Sequence, residues 1–365
     1  MRMNNTVLKI VCLVISLTVA FGVAELAVRF FEPQEVAPIR FVFDPQLGEI
    51  PTPNQKGRKI RPGVFDHTYS HNSLGLRGSK EYTFERHTDH RILFLGDSFT
   101  YGFGVNDDQT FPYLTEKRLT ADKLSVEVIN AGNSGRGTDF ALKIFRVLGY
   151  KFHPTLTVFC FLGKNFVDDE RGQFYAVAAN GEITPKSLRS SRGLIKNLLL
   201  NLPGYNWLIS WSQAANLVKE AGVQWFFRHT DPKAVKEGSL VIVYPDRGQG
   251  CANPETVRLT GIYLRNLVES VRNSGSSLMI FYLPMAPEVE LFRKTPQKSK
   301  DEAAFESIIH NQGEELISLT PTLAASGEPL NKLYFVPSDG HWTARGQALA
   351  AQYISEQIEN RLKNH

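Results

Sequence analysis

Cysteine is scarce. Of three in 365 residues, Cys12 lies in an apolar run, Cys160 in a strand-like stretch and Cys251 in a loop. At most one disulfide is available, so the fold does not rest on a disulfide framework. CxxC and HExxH are both missing, which removes common zinc signatures. His87, Asp89 and His90 cluster just before a strand, at its amino end, and read as a surface loop rather than a metal site. Charge of one sign is also lacking. Lys and Arg number 41 against 37 Asp and Glu, a formal net charge of +4, and the basic residues are scattered rather than gathered into a stripe. Nucleic acid is therefore not an expected partner. No internal repeat or low-complexity tract stands out.

What the chain does have is one long apolar run near its start, IVCLVISLTVAFGVA at 10–24, preceded by Arg2 and Lys9 and closed by Glu25. It carries no polar face, as a core helix would. Alone it falls short of the ~20 residues of a membrane span. Residues 6–9, whose lysine can snorkel, and 26–28 bring it into range. Gly22 and Ala24 suit a signal-peptidase site, yet apolar residues continue to Phe31, which favours an uncleaved membrane anchor. In either case everything after about residue 33 is expected outside the cytoplasm, periplasmic or extracellular, and secreted if the segment is cut.

The expected organisation is an anchor or signal segment at 1–32, a linker and N-terminal cap at 33–85, and one large domain at 86–365 with an insertion at about 170–255. Residues 33–63, rich in Pro, Gly and charge, read as a tether, and 67–78 as a small hairpin or cap with structural polar groups. Strands are expected at 92–95, 126–129, 156–162 and 277–283, with a weaker fifth starting at Leu316 or covering 333–336. Helical periodicity covers 111–120, 139–150, 256–272, 301–312 and 343–362. Strands alternating with helices mean an α/β fold whose parallel sheet is covered on both faces. The insertion holds an amphipathic stretch at 194–228 with Trp207, Trp211 and Trp225. It reads as a lid or binding surface, or as a helical element whose tryptophans only pack it down.

In such a sheet, ligands sit beyond the carboxyl ends of the strands, so polar residues directly after strands are informative. GDSFT follows the first strand, and Ser98 stands where a helix starts. Taken alone, it is better read as an N-cap. NAGNSGRGT follows the second strand, and its glycines free the backbone to turn an N–H toward a site. After the third comes FLGKNFVDD, where Asn165 offers a neutral amide donor and Asp168 with Asp169 reads as a solvated pair. Before the last helix, VPSDGHW supplies Asp339 and His341. A serine hydroxyl needs a base to take its proton, and that base needs a carboxylate to fix its tautomer. Each element is weak singly; four at one edge of one sheet point jointly to a catalytic serine.

These four blocks, in chain order across about 91–360, resemble the SGNH hydrolases, the GDSL-type esterase and lipase superfamily. The resemblance implies a flavodoxin-like three-layer α/β/α sandwich with about five parallel strands. It implies Ser98 as nucleophile, His341 as base and Asp339 as its orienting acid. It also implies an oxyanion hole from the Ser98 amide, Gly135 and Asn165. No cofactor and no metal are implied. Two departures stand out: Phe166 occupies the position where the family's third block commonly has Asp, and the last block is Asp-x-His followed by Trp342 rather than Asp-x-x-His. The shorter form is similar to the Asp-x-His-Trp motif of alginate-type polysaccharide O-acetyltransferases. The expected partner is an ester-bearing small molecule or an acylated glycan, with O-acetyl transfer as one rival reading and a non-catalytic binding protein as another.

Overall fold

The computed structural model describes residues 5–34, 39–172, 174–188, 202–230 and 250–363. Of the expected insertion, residues 173, 189–201 and 231–249 lie outside the described residues, among them the first part of the stretch at 194–228. The chain divides into a smaller compact unit drawn from residues 1–38, 58–66 and 191–241 and a larger one made of the rest.

The larger unit is built on five parallel strands: His90–Leu95, Val126–Asn130, Leu156–Phe161, Ser277–Tyr282 and Leu316–Ser318. Numbered one to five in chain order, they stand 5-4-3-1-2 across the sheet. This is the flavodoxin-like order, which reverses direction between strands one and three. Successive strand residues face opposite sides. Leu93 and Leu95 accordingly enter one apolar core with Phe140, Leu264 and Phe305, while Ile92 and Phe94 enter the other with Leu119, Val289 and Ile354. The first core is covered by the helices Thr138–Val147, Pro254–Asn273 and Lys300–Asn311. Phe111–Ala121, Ala286–Lys294 and Ala344–Lys363 cover the second. The result is the expected three-layer sandwich.

Local chemistry sets the helix starts. Asn253 accepts from the Glu255 and Thr256 N–H groups, with Pro254 opening the helix. Ser299 accepts from Glu302 N. Both are side chains that satisfy first-turn donors.

Two expectations need correction. Residues 333–336 are not a strand: Leu330–Leu333 is a helical turn, and Tyr334 makes only an isolated antiparallel bridge to Trp342. The fifth strand is Leu316–Ser318. Nor are residues 33–63 an open tether, since Phe41–Asp44 pairs antiparallel with Gly48–Pro51 and Lys56–Arg61 is also a strand. Leu47, in the turn between the first two, is buried in the core beside Leu76. Pro45, Pro53, Pro62 and Gly63 sit at the turns between and after these strands, a composition that cannot be told from a linker.

In the smaller unit, Asn5–Phe31 is one helix, long and apolar enough to cross a membrane, a test that a signal sequence also passes. The insertion contributes the helices Tyr205–Trp211 and Gln213–Thr230 to the same unit.

Candidate active site

The reversal of strand order leaves a crevice at the carboxyl ends of strands one and three. Strand one ends at Leu95 and turns sharply through Gly96, where a Cβ would stand 2.2 Å from Thr100 Oγ1 and 3.0 Å from the Cys160 carbonyl. Only glycine fits there. The chain enters a short helix, Ser98–Tyr101, whose cap is Asp97: its Oδ1 accepts from Phe99 N at 2.9 Å. Capping therefore belongs to the neighbour, and Ser98, as the first helical residue, stays half-exposed.

His341 arrives from the loop before the last helix. Its Nε2 lies 2.7 Å from Ser98 Oγ, and its Nδ1 lies 2.5 Å from Asp339 Oδ1. The same Asp339 oxygen accepts the His341 backbone N–H at 2.9 Å. Asp339 is thus held to His341 by main chain as well as side chain. The loop is closed by Phe335 N donating to the His341 carbonyl and Asp339 N donating to the Phe335 carbonyl. Phe99 and Phe103 flank the imidazole, with ring centroids 5.1 and 4.7 Å away. Trp342, fully buried, packs edge-on to Phe99 and Phe111. It is a core residue under the site rather than part of its surface.

The other two loops meet beside Asp97. Asn165 is buried; its Oδ1 accepts from Leu162 N at 2.8 Å, which fixes the amide's orientation. Its Nδ2 then points to the Arg136 carbonyl at 3.2 Å and to Asp97 Oδ2 at 3.4 Å. Gly135 is exposed in the second loop, with φ of 68°, a left-handed conformation that favours glycine. Burial pushes the Asp97 carboxyl up to about 6, against the Phe99 N–H bond, which pulls it down.

Asp168 and Asp169 are not a solvated pair. Both are buried. Asp169 accepts from Asp139 N at 3.1 Å and from Thr260 Oγ1 at 2.6 Å, tying the short helix Asn165–Glu170 to the helices Thr138–Val147 and Pro254–Asn273. Its carboxyl is held well above the usual range by burial and by the nearby Asp139. Asp168 pairs with Arg171 at 3.0 Å. For Asp97 the sequence held one usable signal, a capping type directly before Ser98. It gave none for Asp169, whose partner Thr260 is 91 positions away.

Phe166 lies in the core, edge-on to Phe161 at 5.0 Å, and does not face the site. The segment at 67–78 braces the helix Ser98–Tyr101. His71 Nε2 lies 2.8 Å from the Tyr101 hydroxyl, and burial pushes its imidazole down to about 4, so it is neutral. Arg77 pairs with Asp107 at 2.7 Å, donates to the Val105 carbonyl and lies over the Tyr101 ring. His87 and Asp89 are exposed, and His90 opens strand one at its amino end. Among the described residues no group of three His, Cys, Asp or Glu side chains is arranged to hold a metal ion. All three cysteines are free.

No protein-family model and no curated protein matches the chain. Solved structures similar to it include TesA, at 14% identity and a TM-score of 0.39 over 73% of this chain and 97% of that one. Another is the psychrotrophic esterase EstA from Pseudoalteromonas sp., at 13%, 0.39, 75% and 100% respectively. A third is Axe2, an acetylxylan esterase from Geobacillus stearothermophilus, at 13%, 0.40, 74% and 94%.

Proposed function

We propose that the protein is a serine esterase of the SGNH type, anchored by its N-terminal helix with the catalytic domain outside the cytoplasm. The observation that carries this reading is His341 spanning Ser98 Oγ and Asp339 with its two ring nitrogens. Asp339 holds the Nδ1 proton, which leaves Nε2 with a lone pair aimed at the serine hydroxyl. His341 removes that proton as Ser98 Oγ attacks the ester carbonyl. It then returns the proton to the leaving alcohol, and an acyl-serine remains. Water, deprotonated by the same imidazole, attacks the acyl carbonyl; the bond to Ser98 Oγ breaks, the acid leaves, and His341 returns the proton to the serine oxygen.

The tetrahedral oxyanion is stabilised by the Ser98 and Gly135 backbone N–H groups and by Asn165 Nδ2. An oxyanion competes with the longer of the two partners that Asn165 already has, Asp97 Oδ2 at 3.4 Å. The substrate is an ester-bearing small molecule or an acylated glycan, O-acetyl groups being suited to an extracytoplasmic site.

Hydrolysis of a short aryl acetate by the full chain in detergent tests the reading. Ser98→Ala and His341→Ala should each lose on the order of 10⁴-fold or more in kcat while remaining folded. A wild type no faster than its variants would remove the esterase. A sugar acceptor added to the same assay separates hydrolysis from O-acetyl transfer: under hydrolysis, the product ratio ignores the acceptor.

A further inference from the structure

Asn5–Phe31 has one buried residue, Glu25. The Glu25 carboxylate accepts from Gln213 N and Ala214 N, both at 3.0 Å, from Ser212 Oγ at 2.8 Å and from Arg29 Nε at 2.7 Å. The two backbone donors open the helix Gln213–Thr230, and the first turn of a helix leaves such groups unpaired. A residue of the N-terminal helix therefore caps a helix of the insertion. Arg29 adds a bond to the Trp211 carbonyl at 2.8 Å, Phe21 meets the Trp211 ring edge-on, and Trp211 in turn packs on Trp207.

The depth of this junction follows from helix geometry. Lys9 and Arg29 stand about 30 Å apart along the helix axis, which matches a hydrocarbon core about 30 Å thick. With those two cations at its boundaries, Glu25 falls about 6 Å inside the apolar layer. A carboxylate at that depth must find its donors within the protein, because water is excluded. All four of these donors are the chain's own. The insertion helices that supply three of them must then reach the same depth. Their outward residues suit that level: Trp207 is 66% and Val218 73% exposed, next to an anchor whose Phe30 and Phe31 are both 81% exposed. Tryptophan concentrates at the membrane–water boundary, and helices bound there sink about 5–10 Å.

We propose that the helices Tyr205–Trp211 and Gln213–Thr230 lie in the bilayer interface beside the anchor, locked to it by Glu25, with Trp207 in contact with phospholipid. The inference rests on the uncleaved anchor of the proposed function. It turns the insertion from a reading as lid into a second membrane contact.

The test begins with the intact mass of the full chain extracted from membranes. The chain is then reconstituted into phosphatidylcholine vesicles containing a lipid brominated near the headgroup. Emission of wild type minus Trp207→Phe isolates Trp207, an exposed residue whose replacement leaves the fold intact. The expected result is a full-length chain whose difference emission loses most of its intensity with brominated lipid and little with aqueous acrylamide. Quenching by acrylamide alone would overturn the docking while leaving the anchor. Resistance to both quenchers would mean that protein covers Trp207, which also overturns it. A chain beginning at Glu25 would overturn anchor and docking together.

Discussion

The two units satisfy their buried polar groups in different ways. In the larger unit, Asp97 follows strand one, Asn165 and Asp169 lie in the short helix Asn165–Glu170 after strand three, and all three pair with atoms of adjacent loops and helix starts. The sheet edge brings many donors and acceptors together, so each group has several partners close by. In the smaller unit, one carboxylate from a helix with no other buried residue accepts from four donors. A parallel sheet distributes its polar contacts; Glu25 concentrates them in one side chain.

The sharpest way to break the larger unit is to place a carboxylate at Phe166. Phe166→Asp would lose a ring packed on Phe161 and Phe305 and bury an unpaired charge. A loss of about 3–5 kcal/mol or more is expected, seen as a single cooperative shift in denaturant unfolding. Glu25→Ala strikes the smaller unit. Removing a capping acceptor costs typically about 1–2 kcal/mol, and here the loss should be local. Limited proteolysis should cut within Gln213–Thr230 faster than in wild type, while the denaturant midpoint of the larger unit stays where it was. A midpoint that moves with Glu25→Ala would erase the contrast between the units.

The smallest effect is a pH slope. Glu288 is buried and accepts from the Tyr282 hydroxyl at 2.5 Å, Met285 N at 2.8 Å and Ser299 Oγ, and burial pushes its carboxyl up to about 7. A carboxyl raised on folding binds its proton more tightly in the native state. Its contribution is full below the unfolded value of 4.5 and is lost as pH rises through about 7. Asp97, Asp168 and Asp169 are raised as well, so they slope the same way. Glu288→Gln should flatten the fall in unfolding free energy between pH 5 and 7 without removing it, as chemical denaturation across that range would measure.

Much of this was legible in the sequence, and the reason differs by element. Strands such as Leu156–Phe161, buried on both faces, read as unbroken apolar runs, and glycine-bearing polar blocks after strands mark a sheet edge whatever the family. The stretch at 333–336 has the same apolar look, but Leu333 ends a helical turn and Tyr334 makes only an isolated bridge to Trp342. The strand Phe41–Asp44 was hidden because its partner is a local hairpin amid turn residues. Asp169 read as solvated because nothing in a loop announces the helix that will cover it. Glu25 carried a signal, an acid closing an apolar run, but not the identity of its partners nearly 190 positions later.

The central claim is an activated Ser98, and a fluorophosphonate reports it directly. After reaction with the full chain, peptide mass analysis should find one adduct, on the peptide containing Ser98. It should be absent in Ser98→Ala and greatly slowed in His341→Ala. A wild-type chain that takes no adduct, or an adduct that persists in Ser98→Ala, would contradict the account.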